Sequence, residues 1–264
     1  MMDKRDWRVM RKSGGLRLSH FRVEAEDLSV TFGSYQALQH ISLRIPPQEY
    51  WIVIGENGAG KSTLLNCLAL WSRPTKGHVR IDGYEALEHE RFLRSLIKFV
   101  PDTPTFYSEL TALEHAQLIA AHHHLSHWQA EAERLFHAFS LDRNVNAYPA
   151  SFSRGMQYKL ALLLSLLTKP SLLLLDEPFA PLDPVSQNHL TQLLSQLAHE
   201  QGTTVVMTTH LLPEAKSPDH LVFLNQGRVI IDWTWDQVRE RFPGNIATVP
   251  YRLETEILGI STEG

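Results

Sequence analysis

Eight consecutive residues, Gly55-Glu56-Asn57-Gly58-Ala59-Gly60-Lys61-Ser62, follow the spacing G-x-x-x-x-G-K-[ST] and carry the strongest chemical signal in the 264-residue sequence. Small residues let successive backbone N–H groups curl around an anion, and a helix beginning near Lys61 aims the positive end of its dipole at the same point. That is a cradle for phosphate. Lys61 is expected to bridge the β- and γ-phosphates of a nucleotide, with the Ser62 hydroxyl on Mg²⁺ and Thr63 beside it. A second run, Leu172-Leu173-Leu174-Leu175-Asp176-Glu177, ends an apolar strand in two carboxylates. Such a pair lies at the edge where open α/β sheets bind ligands. Asp176 is expected to hold Mg²⁺ through water, and Glu177 to polarise an attacking water.

For these groups to meet, the chain must bring several loops to one edge of a sheet. Tyr50-Trp51-Ile52-Val53-Ile54 is a continuous apolar run, suited to a strand covered on both faces, and it feeds directly into the glycine-rich turn. Earlier runs around Phe21–Phe32 and Ile41–Ile45 alternate apolar and polar residues and are read as antiparallel strands. Between about Glu88 and Thr168 the strand signal shrinks to Ile97–Val100. Helical segments are expected there near Ala112–His124, His127–Phe139 and Met156–Thr168. Ser126 and Gln129 have capping-box spacing and predict a helix start just after the histidine run. The sheet resumes with Leu172–Leu175, Thr203–Thr208, Leu221–Leu224 and Val229–Asp232, separated by a helix from about Pro184 to His199. This alternation predicts an α/β layered protein with antiparallel early strands and an inserted helical subdomain, and the phosphate-loop motif makes it of the P-loop NTPase kind, with an antiparallel β lobe. The expected layout is a basic arm over 1–20, a nucleotide-binding domain over 21–242 with its helical subdomain at about 88–168, and a tail over 243–264.

From about Phe32 to Val229 the chain resembles the ATP-binding cassette (ABC) ATPases. Ser153-Arg154-Gly155-Met156-Gln157, some twenty residues ahead of Glu177, resembles that family's signature loop. The resemblance implies that the signature of one subunit closes over ATP held by the phosphate loop of another, so that two chains pair head to tail. Leu182-Asp183 resembles the loop that links the two sites across the dimer. His210, after Thr208-Thr209, resembles the switch histidine that contacts the γ-phosphate. Phe32 resembles the aromatic that stacks on adenine, with Tyr35 as a substitute. Two departures stand out. Where the family usually has a metal-binding glutamine, this chain has Asp102, in Val100-Pro101-Asp102-Thr103-Pro104. Arg154 and Met156 replace the commonest Gly and Gln of the signature, a version similar to an exporter-type branch of bacterial cassettes. The implied activity is hydrolysis of Mg·ATP coupled to transport through a separate membrane-spanning permease.

Composition bounds the rest. Apolar residues make up 43% and charged residues 20%, and Lys169-Pro170 interrupts the longest apolar stretch. No unbroken span of about 20 apolar residues is left to cross a bilayer. The first 20 residues carry six Lys or Arg against two Asp, a balance of +4, which leaves −8 for the remainder of a chain whose formal net charge is −4. That balance argues against a nucleic-acid-binding face. Cys67 is the only cysteine, so no intrachain disulfide exists. His122-His123-His124 with His127 lacks a carboxylate or cysteine to complete a metal set. The expected location is cytoplasmic, peripheral on the inner face of the cell membrane. A soluble cassette working on ribosomes or in assembly, and a weakly hydrolysing regulatory cassette, are the rival readings.

Overall fold

A computed structural model describes residues 20–210, 212, 218–243 and 249–258. Of the basic arm over 1–20, residues 1–19 lie outside the described residues. Two sheets form. Strands β1 (Val23–Phe32), β2 (Tyr35–Ile45), β4 (Lys76–Ile81) and β5 (Tyr84–Glu85) make an antiparallel sheet in the order β2-β1-β4-β5. The second sheet has six strands, with β3 (Tyr50–Ile54), β6 (Ile97–Val100), β7 (Leu172–Leu175), β8 (Thr204–Thr209), β9 (His220–Asn225) and β10 (Arg228–Thr234) ordered β10-β9-β3-β8-β7-β6. Every pairing from β9 to β6 is parallel, and only β10 runs antiparallel, as a hairpin with β9.

That parallel stack explains the continuous apolar strands. Successive side chains point to opposite faces, so Leu173 and Leu175 join one core with Ile52, Ile54 and Met207. Leu172 and Leu174 join the other with Trp51, Val53 and Val206, under the antiparallel sheet. All four leucines have no exposed surface. Burial contributes about 1.5–3 kcal/mol for each, as an upper estimate.

Helices flank both faces: α1 (Lys61–Leu68), α2 (Glu90–Leu96), α3 (Ala112–His122), α4 (Trp128–Ala138), α5 (Arg154–Leu166), α6 (Pro184–His199), α7 (Trp235–Arg241) and α8 (Val249–Leu258). α3 starts on a true capping box, in which Thr111 Oγ1 accepts from Glu114 N and Glu114 accepts from Thr111 N. The box expected at Ser126 does not form. α4 begins at Trp128 behind His127, whose φ of 55° and lack of a side-chain cap leave Ser126 outside the turn. The strand Lys76–Ile81 was not predicted, because KGHVRI has little apolar alternation; its pairing with β1 makes it a strand. Among the described residues no helix is long and apolar enough to cross a membrane.

Candidate nucleotide site

Because β9, β3, β8, β7 and β6 run parallel, the loops after β3, β6, β7 and β8 emerge at one edge. Ile54 pairs with Thr209, Leu175 with Met207, and Val100 with Leu175. Asp176 N donates to Val100 O at 2.9 Å and carries the ladder one residue further. The register alone therefore gathers the glycine-rich loop, Asp102, Asp176-Glu177 and His210, residues up to 155 positions apart in sequence.

An open cleft of about 320 Å³ lies there, lined by Phe32, Tyr35, Ala37, the loop residues Glu56 to Gly58, Gly60 to Thr63, Asp102, Asp176 and Glu177. Gly60 caps α1 at φ 105°, and a Cβ at this position would stand 2.6 Å from Ala37 O. Only glycine fits there. Lys61, 6% exposed, donates to Gly55 O at 2.7 Å and Glu56 O at 3.1 Å and lies 3.3 Å from Glu177 Oε1. The other carboxylate oxygen of Glu177 accepts from His210 Nδ1 at 2.9 Å and His210 N at 3.3 Å. Asp176 is buried, and its Oδ1 accepts from Thr208 Oγ1 at 2.6 Å, while the same hydroxyl accepts from Glu177 N at 3.1 Å. Thr208 is thus a positioning residue that sequence reasoning missed. Only its register beside the two acids reveals it.

Phe32 and Tyr35 face each other across the β1–β2 hairpin, and both are more than half exposed at the mouth of the cleft. Tyr35 Oη also donates to Gly58 O at 3.1 Å. The signature residues stand elsewhere. Ser153 is the N-cap of α5, accepting from Met156 N at 3.3 Å, and it is exposed together with Arg154. None of Ser153, Arg154, Gly155 and Met156 lines the cleft. Gly155 packs so closely on the loop after β7 that a Cβ would meet Pro181 O at 2.8 Å. Asp183 caps α6 through Ser186 N at 2.9 Å and Ser186 Oγ at 2.6 Å, bonds that hold its carboxyl below the usual carboxylate range.

Among the described residues no three His, Cys, Asp or Glu side chains converge to hold a metal unaided. Among the groups lining the cleft, the Ser62 hydroxyl and the carboxylates of Asp102 and Asp176 offer oxygen ligands of the kind that suits a hard cation sharing phosphate oxygens. A model of the ABC transporter family matches residues 38–180. The chain belongs to the ABC transporter ATPases. This cassette is 32% identical over 223 residues to the ABC-type transporter ATP-binding protein EcsA of Bacillus subtilis, covering 83% of the chain and 90% of that protein. It is 28% identical to the bacitracin transport ATP-binding protein BcrA of Enterococcus faecalis, over 86% of the chain and 73% of the relative. The aliphatic sulfonates import ATP-binding protein SsuB 3 of Pseudomonas savastanoi is 32% identical, over 88% and 83%. Among solved structures, the dimeric post-hydrolysis state of the cassette MJ0796 bound to ADP and Pi superposes with a TM-score of 0.74 at 27% identity, covering 80% of this chain and 98% of that one. The cassette is therefore an ATP-binding, ATP-hydrolysing subunit of a transporter, which sets aside the soluble and regulatory rivals.

Proposed function

We propose that the cleft binds Mg·ATP with Lys61 on the β- and γ-phosphates, Ser62, Asp176 and Asp102 toward the metal, and Phe32 against adenine. The observation that carries this reading is the Lys61–Glu177–His210 chain. The lysine rests on loop carbonyls and on Glu177. A triphosphate entering the loop competes for that ammonium, and Lys61 turning to phosphate frees Glu177 Oε1 for a water. His210 keeps the other oxygen and orients the carboxylate. Mg²⁺, when bound, neutralises charge on the β- and γ-phosphate oxygens. Positioning and charge compensation are nearly all that phosphoryl transfer to water needs from a protein.

The signature loop takes no part in lining its own cleft, and Ser153 and Arg154 are exposed at the start of a 13-residue helix. The orphan amides of that helix are a ready anion site, which supports closure over ATP held by a second cassette, with Asp183 at the contact. Residues 21–242 form the working unit, with a helical subdomain at about 88–168. The membrane partner docks on the loop Asp102–Leu110. Tyr107 there is 63% exposed, while buried His115 pins the loop by accepting from Tyr107 N at 3.0 Å. The Arg154-Gly155-Met156 signature favours export, from a position on the inner face of the membrane.

Glu177→Gln tests the core of this scheme. Size and polarity are kept and the base is lost, so ATP binding should survive, turnover should fall by about a hundredfold or more, and an ATP-bound dimer should accumulate on size-exclusion chromatography. A monomer with unchanged ATPase refutes the role of Glu177. Export is checked by loading inverted vesicles that carry the cassette and its permease: accumulation of substrate inside supports it, and ATP-dependent efflux from them refutes it.

A further inference from the structure

Tyr158 lies in the first turns of α5, 1% exposed, in the core cluster that also holds Val100 and Leu175. Those two residues end the strands that lead into Asp102 and Asp176. Its phenolic oxygen is buried without a hydrogen-bond partner among the described residues. Burial, with the charges of Asp176, Asp102 and Glu177, holds the phenol well above its ordinary pKa, so it stays a proton donor. A buried donor left unpaired is costly, so an acceptor brought within its reach would be stabilising.

The charges of three carboxylates act on it, and two of these groups are committed. Asp176 is fixed by the buried Thr208 hydroxyl, and Glu177 by His210 and Lys61. Asp102 is exposed, and among the described residues its side chain accepts one long hydrogen bond, 3.4 Å from Thr103 Oγ1. We propose that when Mg·ATP occupies the cleft Asp102 turns inward and accepts a hydrogen bond from Tyr158 Oη, so that Tyr158 is the positioning residue for Asp102. The bond spreads the negative charge that a carboxylate brings to a site already crowded with phosphate oxygens. This rests on the reading that Asp102 faces the metal.

Tyr158→Phe removes the one oxygen and nothing else. Steady-state ATPase across a Mg²⁺ titration is measured for wild type, Tyr158→Phe, Asp102→Ala and the double variant, together with thermal denaturation with and without Mg²⁺ and a non-hydrolysable ATP analogue. Tyr158→Phe should lower kcat about fivefold or more and raise the half-saturating Mg²⁺ severalfold, with KM for ATP changed less than about twofold. In the Asp102→Ala background the same change should alter kcat less than about twofold, because the acceptor is already gone. The nucleotide-free Tm of Tyr158→Phe should be no lower than wild type, while its rise on adding Mg²⁺ and the analogue should be smaller. Asp102→Ala behaving as wild type overturns the Asp102 reading and the bond with it. A slowed Asp102→Ala beside a wild-type Tyr158→Phe overturns the bond alone. So does an equal loss from Tyr158→Phe in both backgrounds, or a nucleotide-free Tm that drops by several degrees.

Discussion

Replacing Thr208 with valine removes one oxygen from a side chain that has no exposed surface, and leaves two groups without their partner. Asp176 loses its donor at 2.6 Å, and the Glu177 amide loses its acceptor at 3.1 Å. A hydrogen bond to an ionised carboxylate contributes about 1.5–3 kcal/mol, and a buried unpaired amide costs about 1–3 kcal/mol. The methyl group in place of the hydroxyl returns roughly 1 kcal/mol through apolar burial. The expected net loss is about 2–4 kcal/mol, or roughly 5–15 °C in Tm for a chain of this size. On the role proposed for Glu177 the loss is catalytic as well. Glu177 holds φ at 45°, a conformation that residues other than glycine seldom adopt, and the hydrogen bond its amide donates to Thr208 Oγ1 helps to hold it there. Urea denaturation of the nucleotide-free chain measures the first effect and steady-state ATPase the second. Thr208→Ser keeps the hydroxyl and should recover most of the activity, at a cost of about 1 kcal/mol for the lost methyl. A Thr208→Val chain as stable as wild type, or a serine variant as slow as the valine one, refutes the account.

Two further outcomes follow from the geometry. In Gly155→Ala the new Cβ stands 2.8 Å from Pro181 O, so the start of α5 must shift. ATPase should fall about tenfold or more while the isolated chain binds a fluorescent ATP analogue within about twofold of wild type, and an ATPase within twofold refutes a role for that contact. Asp183 carries a depressed carboxyl, so its stabilising contribution is present above the ordinary carboxylate range and is lost as pH falls through the folded value. The gap in denaturation midpoint between wild type and Asp183→Ala should therefore be widest near about pH 7 and close toward about pH 3. A gap that stays constant with pH contradicts the assignment.

The parts of this site that were legible in sequence share one property: their chemistry is carried by contiguous residues. The glycine-rich loop, the two acids after four leucines, and the signature at a helix start each fit within one loop and the element it joins, so spacing alone announces them. Strands with an apolar run were legible for the same reason, and Ile97–Val100 and Leu172–Leu175 appear with the expected bounds. What sequence did not reveal depends on register between distant segments. Thr208 is an ordinary strand threonine until β8 lies beside β7 and its hydroxyl falls between two acids 31 and 32 residues away. His115 reads as one more helical histidine until both ring nitrogens are engaged, Nδ1 with Thr111 O at 2.8 Å and Nε2 with Tyr107 N at 3.0 Å. Those bonds select the neutral tautomer with the proton on Nδ1. Tyr158 reads as a large core residue, and packs as one, until its oxygen proves to have no partner beside the acidic edge. The groups proposed to touch phosphate are therefore set by local sequence, whereas those that aim them are set by strand order. A cassette that keeps every contiguous motif and changes Thr208, His115 or Tyr158 should bind nucleotide much as this one does and differ in how fast, and at what Mg²⁺ concentration, it turns over.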